Sequence, residues 1–249
     1  MAEADRAIPA NLALLLMPAV IGVVFLLAPL VGALDAGWMV EFVAIELFCF
    51  AAPALLAARM SVGTGALGLR WPSGRALLGA VLFGASFWYL NLVLVAPILA
   101  EWTSEADRAL EVAIAADQPL WLELLILALV PAVCEELLVR GAIARGLAPR
   151  FGVVAAVLVS SAYFSLLHLS LARALPTAVL GAVLAIIAIR GGSLVPPILI
   201  HFLNNAAAVA LSNPGAAPAV KALDRAPAIT GSVALMASAI GLILMLRRR

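Results

Sequence analysis

The sequence predicts an all-α, polytopic membrane protein built as a bundle of about eight transmembrane helices. Three observations lead to this prediction: of the 249 residues 65% are hydrophobic, only 12% are charged, and the mean hydropathy is +1.16. A soluble domain carries about 25% charged residues, which help to cover its surface. The composition therefore excludes a soluble globular domain and a disordered protein.

Runs of apolar residues give the predicted spans, because a helix needs about 20 such residues to cross the hydrocarbon of a bilayer. The predicted spans cover residues 11–34, 38–58, 76–100, 121–144, 152–172, 175–190, 194–212 and 228–246. The first run is too long, and its leader too acidic, for a signal peptide, so we expect it to be a retained helix.

The connections between the runs are too short to form a soluble domain. The chain therefore divides into three helices with an outer loop (1–120), four central helices (121–212), and a last helix with a basic tail (213–249). The connection 101–120 is acidic and is predicted to form a short amphipathic helix on the outer face.

The basic residues predict the orientation. Eleven of the fifteen fall at the two termini and in every second connection, and four fall in the others, so both termini should be cytoplasmic. With 14 acidic residues against 15 basic ones, the chain has no basic footprint for nucleic acid. One lysine, Lys221, stands against fourteen arginines. This bias is typical of a GC-rich bacterial genome, and it predicts the inner (plasma) membrane of a bacterium.

Polar side chains inside a membrane are costly and mark functional candidates. On the fourth span, Glu136 and Arg140 are four residues apart and are predicted to form an ion pair. Glu135 points about 100° away, without a local partner, and fits a general base. Pro131 should distort the helix just before these acids, because it cannot donate a backbone hydrogen bond.

Two further spans carry the other candidates. His168 and His201 are the only histidines of the chain, and both lie inside predicted spans. Phe164 precedes His168 by four residues, and Asn205 follows His201 by four, so each pair shares a helix face. An acid, two imidazoles and an amide in one cavity are sufficient to activate water and stabilise an oxyanion.

The three motifs together resemble the CPBP family of ABI-domain intramembrane endopeptidases, which includes type II CAAX prenyl proteases and bacteriocin-processing homologues. The motifs are Glu135-Glu136-x-x-x-Arg140, Phe164-x-x-x-His168 and His201-x-x-x-Asn205, and the resemblance covers about 121–212. It implies a metal-independent glutamic protease that needs no cofactor and has a cavity open to the membrane and the cytoplasm.

The resemblance also implies a role for each residue. Glu135 would activate a water molecule that His168 helps to hold, and His201 with Asn205 would stabilise the tetrahedral oxyanion. Glu136, Arg140 and Phe164 would be supporting members of the motifs. The implied partners are the lipid bilayer and a peptide or protein substrate at the membrane.

Other interpretations stay open at this point. Glu135, His168 and His201 also form a zinc ligand set, with Asn205 outside it, although the chain has no HExxH motif. A non-catalytic scaffold or peptide-immunity protein would use the same pocket for binding alone, whereas a transporter is disfavoured because the chain has no inverted repeat. The role of Glu46, structural or on the substrate path, is also open.

The sequence does not choose the substrate. Prenylated CAAX peptides, bacteriocin or pheromone leaders and C-terminal membrane anchors are all alternatives, and a bacterial source disfavours the first.

Depth along the helices sets one further expectation. Counted by helical rise from the cytoplasmic end of the fifth span, His168 would lie about 25 Å deep, whereas Glu135 would lie about 15 Å deep on its own span. A single site therefore requires the fifth span to begin below the membrane plane, with residues 152–157 in the cytoplasmic interface.

Overall fold

The computed structural model describes residues 7–105, 107–108, 118–213, 218, 222–223 and 225–247, and no strand occurs among them. The helices are α1 (Ala10–Gly32), α2 (Trp38–Ser61), α3 (Gly74–Trp102), α4 (120–144), α5 (Arg145–Leu167), α6 (Leu171–Gly191), α7 (Val195–Ser212) and α8 (Pro227–Leu246). A short 3-10 turn, Thr64–Leu67, lies between α2 and α3. The predicted all-α membrane class is confirmed.

Six of these helices are long and apolar enough to cross a membrane: α1, α2, α3, α6, α7 and α8. Helix α4 carries four charged side chains, and α5 is broken at Gly152, where φ is +82°. A positive φ is readily adopted only by glycine, so the break is built into the sequence. The predicted count of about eight spans stays a prediction.

The fifth predicted span, 152–172, is corrected at its end. Helix α5 stops at Leu167, and His168 lies in the turn that follows. Leu169 adopts a left-handed conformation with φ +49°, and the Ser170 hydroxyl caps α6 by accepting a hydrogen bond from the Arg173 amide. These two features end one helix and begin the next within four residues.

Two other predictions fall largely outside the described residues. In the acidic connection 101–120, predicted to form a short amphipathic helix, residues 106 and 109–117 lie outside the described residues, and its first two residues belong to the 3-10 helix Ala96–Trp102 that ends α3. Arg6, Lys221, Arg248 and Arg249 also lie outside the described residues. The orientation of the termini stays a prediction.

Three helices widen into a π-helical turn that ends two residues before a proline. The turns are Glu46–Ala51 in α2 before Pro53, Asn91–Val95 in α3 before Pro97, and Leu124–Leu129 in α4 before Pro131. Proline cannot donate to the carbonyl four residues earlier, so the hydrogen-bonding pattern shifts at each of these positions. The distortion predicted at Pro131 is confirmed. A fourth π-helical turn, Leu137–Ala144, carries Arg140.

Helix α3 is held between α7 and α8 by small residues. A Cβ added at Gly79 would lie 2.6 Å from the Gly241 carbonyl oxygen, so only glycine permits the close approach of α3 and α8. The hydroxyl groups of Ser86 and Ser238 are 2.8 Å apart across the same interface.

The start of α7 is held by the segment that follows α2. The Leu194 amide donates to the Gly68 carbonyl at 2.9 Å, and the Ser193 hydroxyl donates to the Arg70 carbonyl at 2.7 Å. Arg70 Nε in turn donates to the Gly192 carbonyl at 2.6 Å. These bonds fix the base of the helix that carries His201.

Candidate active site

Helix α4 supplies the acidic motif as a buried ion pair and a separate acid. Arg140 Nη1 donates to Glu136 Oε1 at 2.6 Å, and neither side chain has any solvent-exposed surface. The ion pair predicted from the four-residue spacing is present. Glu135 lies on another face of the helix, with 13% of its side chain exposed.

His201 of α7 lies between the two glutamates. Its Nδ1 atom is 3.0 Å from Glu136 Oε1, and its Nε2 atom is 3.7 Å from Glu135 Oε2. Because the carboxylate paired with Arg140 can only accept, the His201 Nδ1–H donates to Glu136. This bond fixes the ring so that Nε2 faces Glu135.

Phe164 of α5 connects the two parts of the site. The Arg140 guanidinium carbon lies 4.1 Å from the centroid of the Phe164 ring, in a cation–π contact. The same ring meets His168 and His201 edge to face, with centroid distances of 4.8 and 5.7 Å. A Cβ at Gly181 of α6 would lie 3.2 Å from Arg140 Nη2, so this glycine leaves the space that the cluster occupies.

His168 lies in the turn after α5, one helical turn beyond Phe164. Its Nδ1 atom is 2.9 Å from the Phe164 carbonyl oxygen, so the Nδ1–H donates and Nε2 is left without the proton. His168 is close enough to His201 and Arg140 for their charges to interact. The Phe164 ring thus contacts Arg140 of α4, His201 of α7 and His168 of the turn after α5.

Asn205 is the candidate that the structure does not join to this cluster. It is half-buried one turn beyond His201, and no described residue forms a hydrogen bond with its amide. Among the described residues, no three side chains of His, Cys, Asp or Glu are grouped as a metal site requires.

An acidic side chain from α2 also reaches this region. Glu46 is 4% exposed, and its Oε2 atom has no hydrogen-bond partner in the described chain. Its charge interacts with that of Glu135, whose Oε2 atom also lacks a hydrogen bond.

The outer end of α6 carries a second polar cluster. Asp107 accepts hydrogen bonds from the Ser104 amide and hydroxyl at 3.0 and 2.7 Å, and its Oδ1 atom lies 3.6 Å from Arg173 Nε. The hydrogen bonds from Ser104 hold the pKa of Asp107 below its usual range, and Ser170 and Arg173 lower it further. The cluster ties the segment after α3 to the start of α6, next to the turn that holds His168.

Three contacts of the site were not anticipated from the sequence. They are the hydrogen bond from His201 to Glu136, the stacking of Arg140 on Phe164, and the space left by Gly181. The first joins residues 65 positions apart. Local spacing reveals contacts within a helix, but it carries no signal for contacts between helices.

The chain was compared with families of known proteins. Residues 117–207 match the family described as type II CAAX prenyl endopeptidase Rce1-like. The match confirms the resemblance drawn from the three motifs, all of which lie inside it. No curated protein and no solved structure matches the chain.

Proposed function

We propose that this chain is an intramembrane endopeptidase of the CPBP family, a proposal that the match over residues 117–207 supports. It hydrolyses a peptide bond in a membrane-associated peptide or protein with a water molecule activated by Glu135. The observation that carries the proposal is the position of His201, which has one ring nitrogen on Glu136 and the other facing Glu135.

In the proposed reaction, the Glu135 carboxylate takes a proton from water and the resulting hydroxide adds to the scissile carbonyl carbon. His168 accepts a hydrogen bond from that water through Nε2, because its Nδ1–H is engaged by the Phe164 carbonyl. Glu135 then passes the proton to the amide nitrogen as the C–N bond breaks.

The developing oxyanion requires donors close to Glu135. A doubly protonated His201 ring donates from Nε2 while its Nδ1–H stays on Glu136, and the Asn205 amide adds a second donor from the next turn of α7. Arg140 offsets the charge of Glu136, so that this acid orients His201 without competing with Glu135 as a base.

The substrate belongs to one of three classes: prenylated CAAX peptides, bacteriocin or pheromone leaders, or C-terminal membrane anchors. We place the protein in a bacterial inner membrane with both termini in the cytoplasm and the cleavage on the cytoplasmic side. Reporter peptides of each class, compared by kcat/KM with purified protein in lipid, decide among the three.

The decisive experiment compares the wild type with Glu135→Gln, His168→Ala and His201→Ala on a reporter peptide. We expect each variant to lower kcat by about 10²–10⁴-fold, the usual contribution of general acid–base groups. Asn205→Ala tests the oxyanion donor, and Asn204→Ala is its matched control because Asn204 points about 100° away. Cleavage by Glu135→Gln at the rate of the wild type would refute the mechanism.

The same assay tests the other interpretations. Cleavage that persists in a chelator supports the glutamic mechanism, whereas chelator-sensitive cleavage restored by zinc supports a metalloprotease. Peptide binding that is unchanged in Glu135→Gln, in a protein that never cleaves, supports a scaffold.

A further inference from the structure

Glu46 of α2 is a buried acid that neither the three motifs nor the proposed reaction uses. Its side chain is almost fully buried, and one carboxyl oxygen has no hydrogen-bond partner among the described residues. A buried carboxyl group without a partner lowers stability, and an apolar side chain would fit better. Packing therefore does not explain why an acid occupies this buried position.

The position of Glu46 is defined by the π-helical turn before Pro53. This turn, Glu46–Ala51, packs against the segment Val130–Glu136 of α4, which carries Glu135. The charge of Glu46 interacts with Glu135 and with the neighbouring Cys134. Two carboxyl groups, each with an unpartnered oxygen, thus come together where α2 meets α4.

The surrounding charges decide which of the two acids is ionised. Two carboxylates on segments that pack together in a low-dielectric interior repel, which favours one negative charge and one neutral carboxyl group. Glu135 Oε2 lies 3.7 Å from His201 Nε2, whereas Glu46 forms no ion pair with a described residue. Arg140 is engaged by Glu136. Glu46 is therefore the neutral member of the pair, and its O–H group is a donor.

We propose that Glu46 is a positioning residue of the active site, whose neutral carboxyl group donates a hydrogen bond to Glu135 through one water. The bond fixes which Glu135 oxygen faces the substrate and leaves the negative charge on Glu135. This inference rests on the proposed function, since it assigns Glu46 a role in the same reaction.

The test measures kcat, KM and thermal stability for Glu46→Leu and Glu46→Gln. Glu46→Leu removes an unpaired buried acid, so we expect a melting temperature higher by about 2–4 °C. The same variant should lower kcat by about 10–100-fold with little change in KM, because the base is no longer held in place. Glu46→Gln retains a donor and should keep a kcat close to that of the wild type.

Glu123→Leu is the matched control, because Glu123 is a buried acid on α4, about 18 Å along the helix from Glu135. It should leave kcat unchanged. If Glu46→Leu does not fold, Glu46→Met, which is unbranched like glutamate and has no donor, carries the same prediction.

Three results would overturn the inference. A fall in melting temperature together with kcat would make Glu46 a structural residue, and an unchanged kcat in Glu46→Leu would remove it from the site. A Glu46→Gln variant as slow as Glu46→Leu would exclude the donor role. Failure of the proposed function is recognised separately, because Glu135→Gln would then cleave as fast as the wild type.

Discussion

Two ion pairs of this protein differ in their burial. Glu136 and Arg140 pair inside the bundle, and Asp107 and Arg173 pair at its outer end. Glu136 and Arg140 are 2.6 Å apart with no exposed surface, and both also contact residues of other helices. Asp107 and Arg173 are 3.6 Å apart, and 35% of the Arg173 side chain is exposed. The buried pair must be complete, because either charge alone is costly there, whereas water reaches Arg173 of the outer pair, although the Asp107 side chain is only 8% exposed.

The buried pair has a further consequence for the site. Glu136 Oε1 accepts from both Arg140 and His201, so the pair fixes the ring that faces Glu135. The outer pair touches the site only through the turn that holds His168. The difference teaches that the inner cluster joins a buried ion pair to the candidate catalytic residues, whereas the outer cluster only connects two segments of the chain.

The largest expected effect is on the buried pair. Arg140→Met removes the guanidinium partner of the buried Glu136 carboxylate and should lower the free energy of unfolding by about 3–5 kcal/mol. Denaturant titration in detergent, followed by tryptophan fluorescence, measures this change. The double variant Glu136→Leu/Arg140→Met removes both charges and should recover part of the loss. A single variant that costs less than about 1 kcal/mol would mean that the pair is not desolvated.

The next effect concerns the orientation of His201. Glu136→Gln removes the anion that accepts the Nδ1–H and should lower kcat by about 10–100-fold, as the loss of an orienting partner commonly does. Steady-state kinetics with a reporter peptide measure the change. Glu123→Gln, the amide of another buried α4 acid, is the control and should be unaffected. Equal activity of Glu136→Gln and wild type would show that Glu136 does not orient the ring.

A smaller effect compares a buried and an exposed cation–π contact. Phe164→Leu removes the ring 4.1 Å from the Arg140 guanidinium, a desolvated contact worth about 2 kcal/mol. Phe151→Leu removes a partly exposed ring 5.6 Å from Arg150 and should cost about 0.5–1 kcal/mol. Equilibrium unfolding of both variants gives the comparison. Equal costs would mean that the contact at Arg140 gains nothing from burial.

The smallest effect is at the outer pair and depends on pH. Asp107→Asn should lower the free energy of unfolding at neutral pH by about 0.2–1 kcal/mol. Because folding lowers the pKa of Asp107, its stabilisation is complete above the unfolded value of about 3.9 and is lost as the pH falls through the folded value. Thermal unfolding from neutral to acidic pH measures the difference between the two proteins.

The matched control for this last prediction is Glu105→Gln, an exposed acid two residues earlier. Its melting temperature should follow that of the wild type at every pH. A difference at Asp107 that stays constant below pH 3 would refute the assignment to ionisation of this carboxyl group.

Much of the architecture could be predicted because the relevant signals are local. Apolar runs predicted the positions of the helices. Unpaired backbone N–H and C=O groups are costly in lipid, and a helix pairs these groups within its own segment. The four-residue spacing gave the Glu136–Arg140 pair, and Pro131 gave the distortion of α4. Three motifs in order gave the family resemblance that the match over residues 117–207 confirms.

The end of α5 could not be predicted from hydropathy. Hydropathy continues past Leu167, so the run was predicted to extend to 172, whereas the chain turns at His168. The turn depends on a left-handed Leu169 and on capping by Ser170, and a window of hydropathy averages over both. The predicted start of this span, at residue 152, coincides with the break at Gly152, where the chain adopts a positive φ that glycine permits.

By itself the sequence determined the membrane class, the order of the helices and the residues able to carry out hydrolysis, because composition and helical periodicity are properties of neighbouring residues. Only the tertiary structure decided which of those residues meet. It placed His201 between two glutamates, Phe164 beneath Arg140, and the turn that carries Glu46 against the segment that carries Glu135. Contacts between helices depend on rotation, tilt and close approach, which follow from packing over the whole bundle rather than from any single segment.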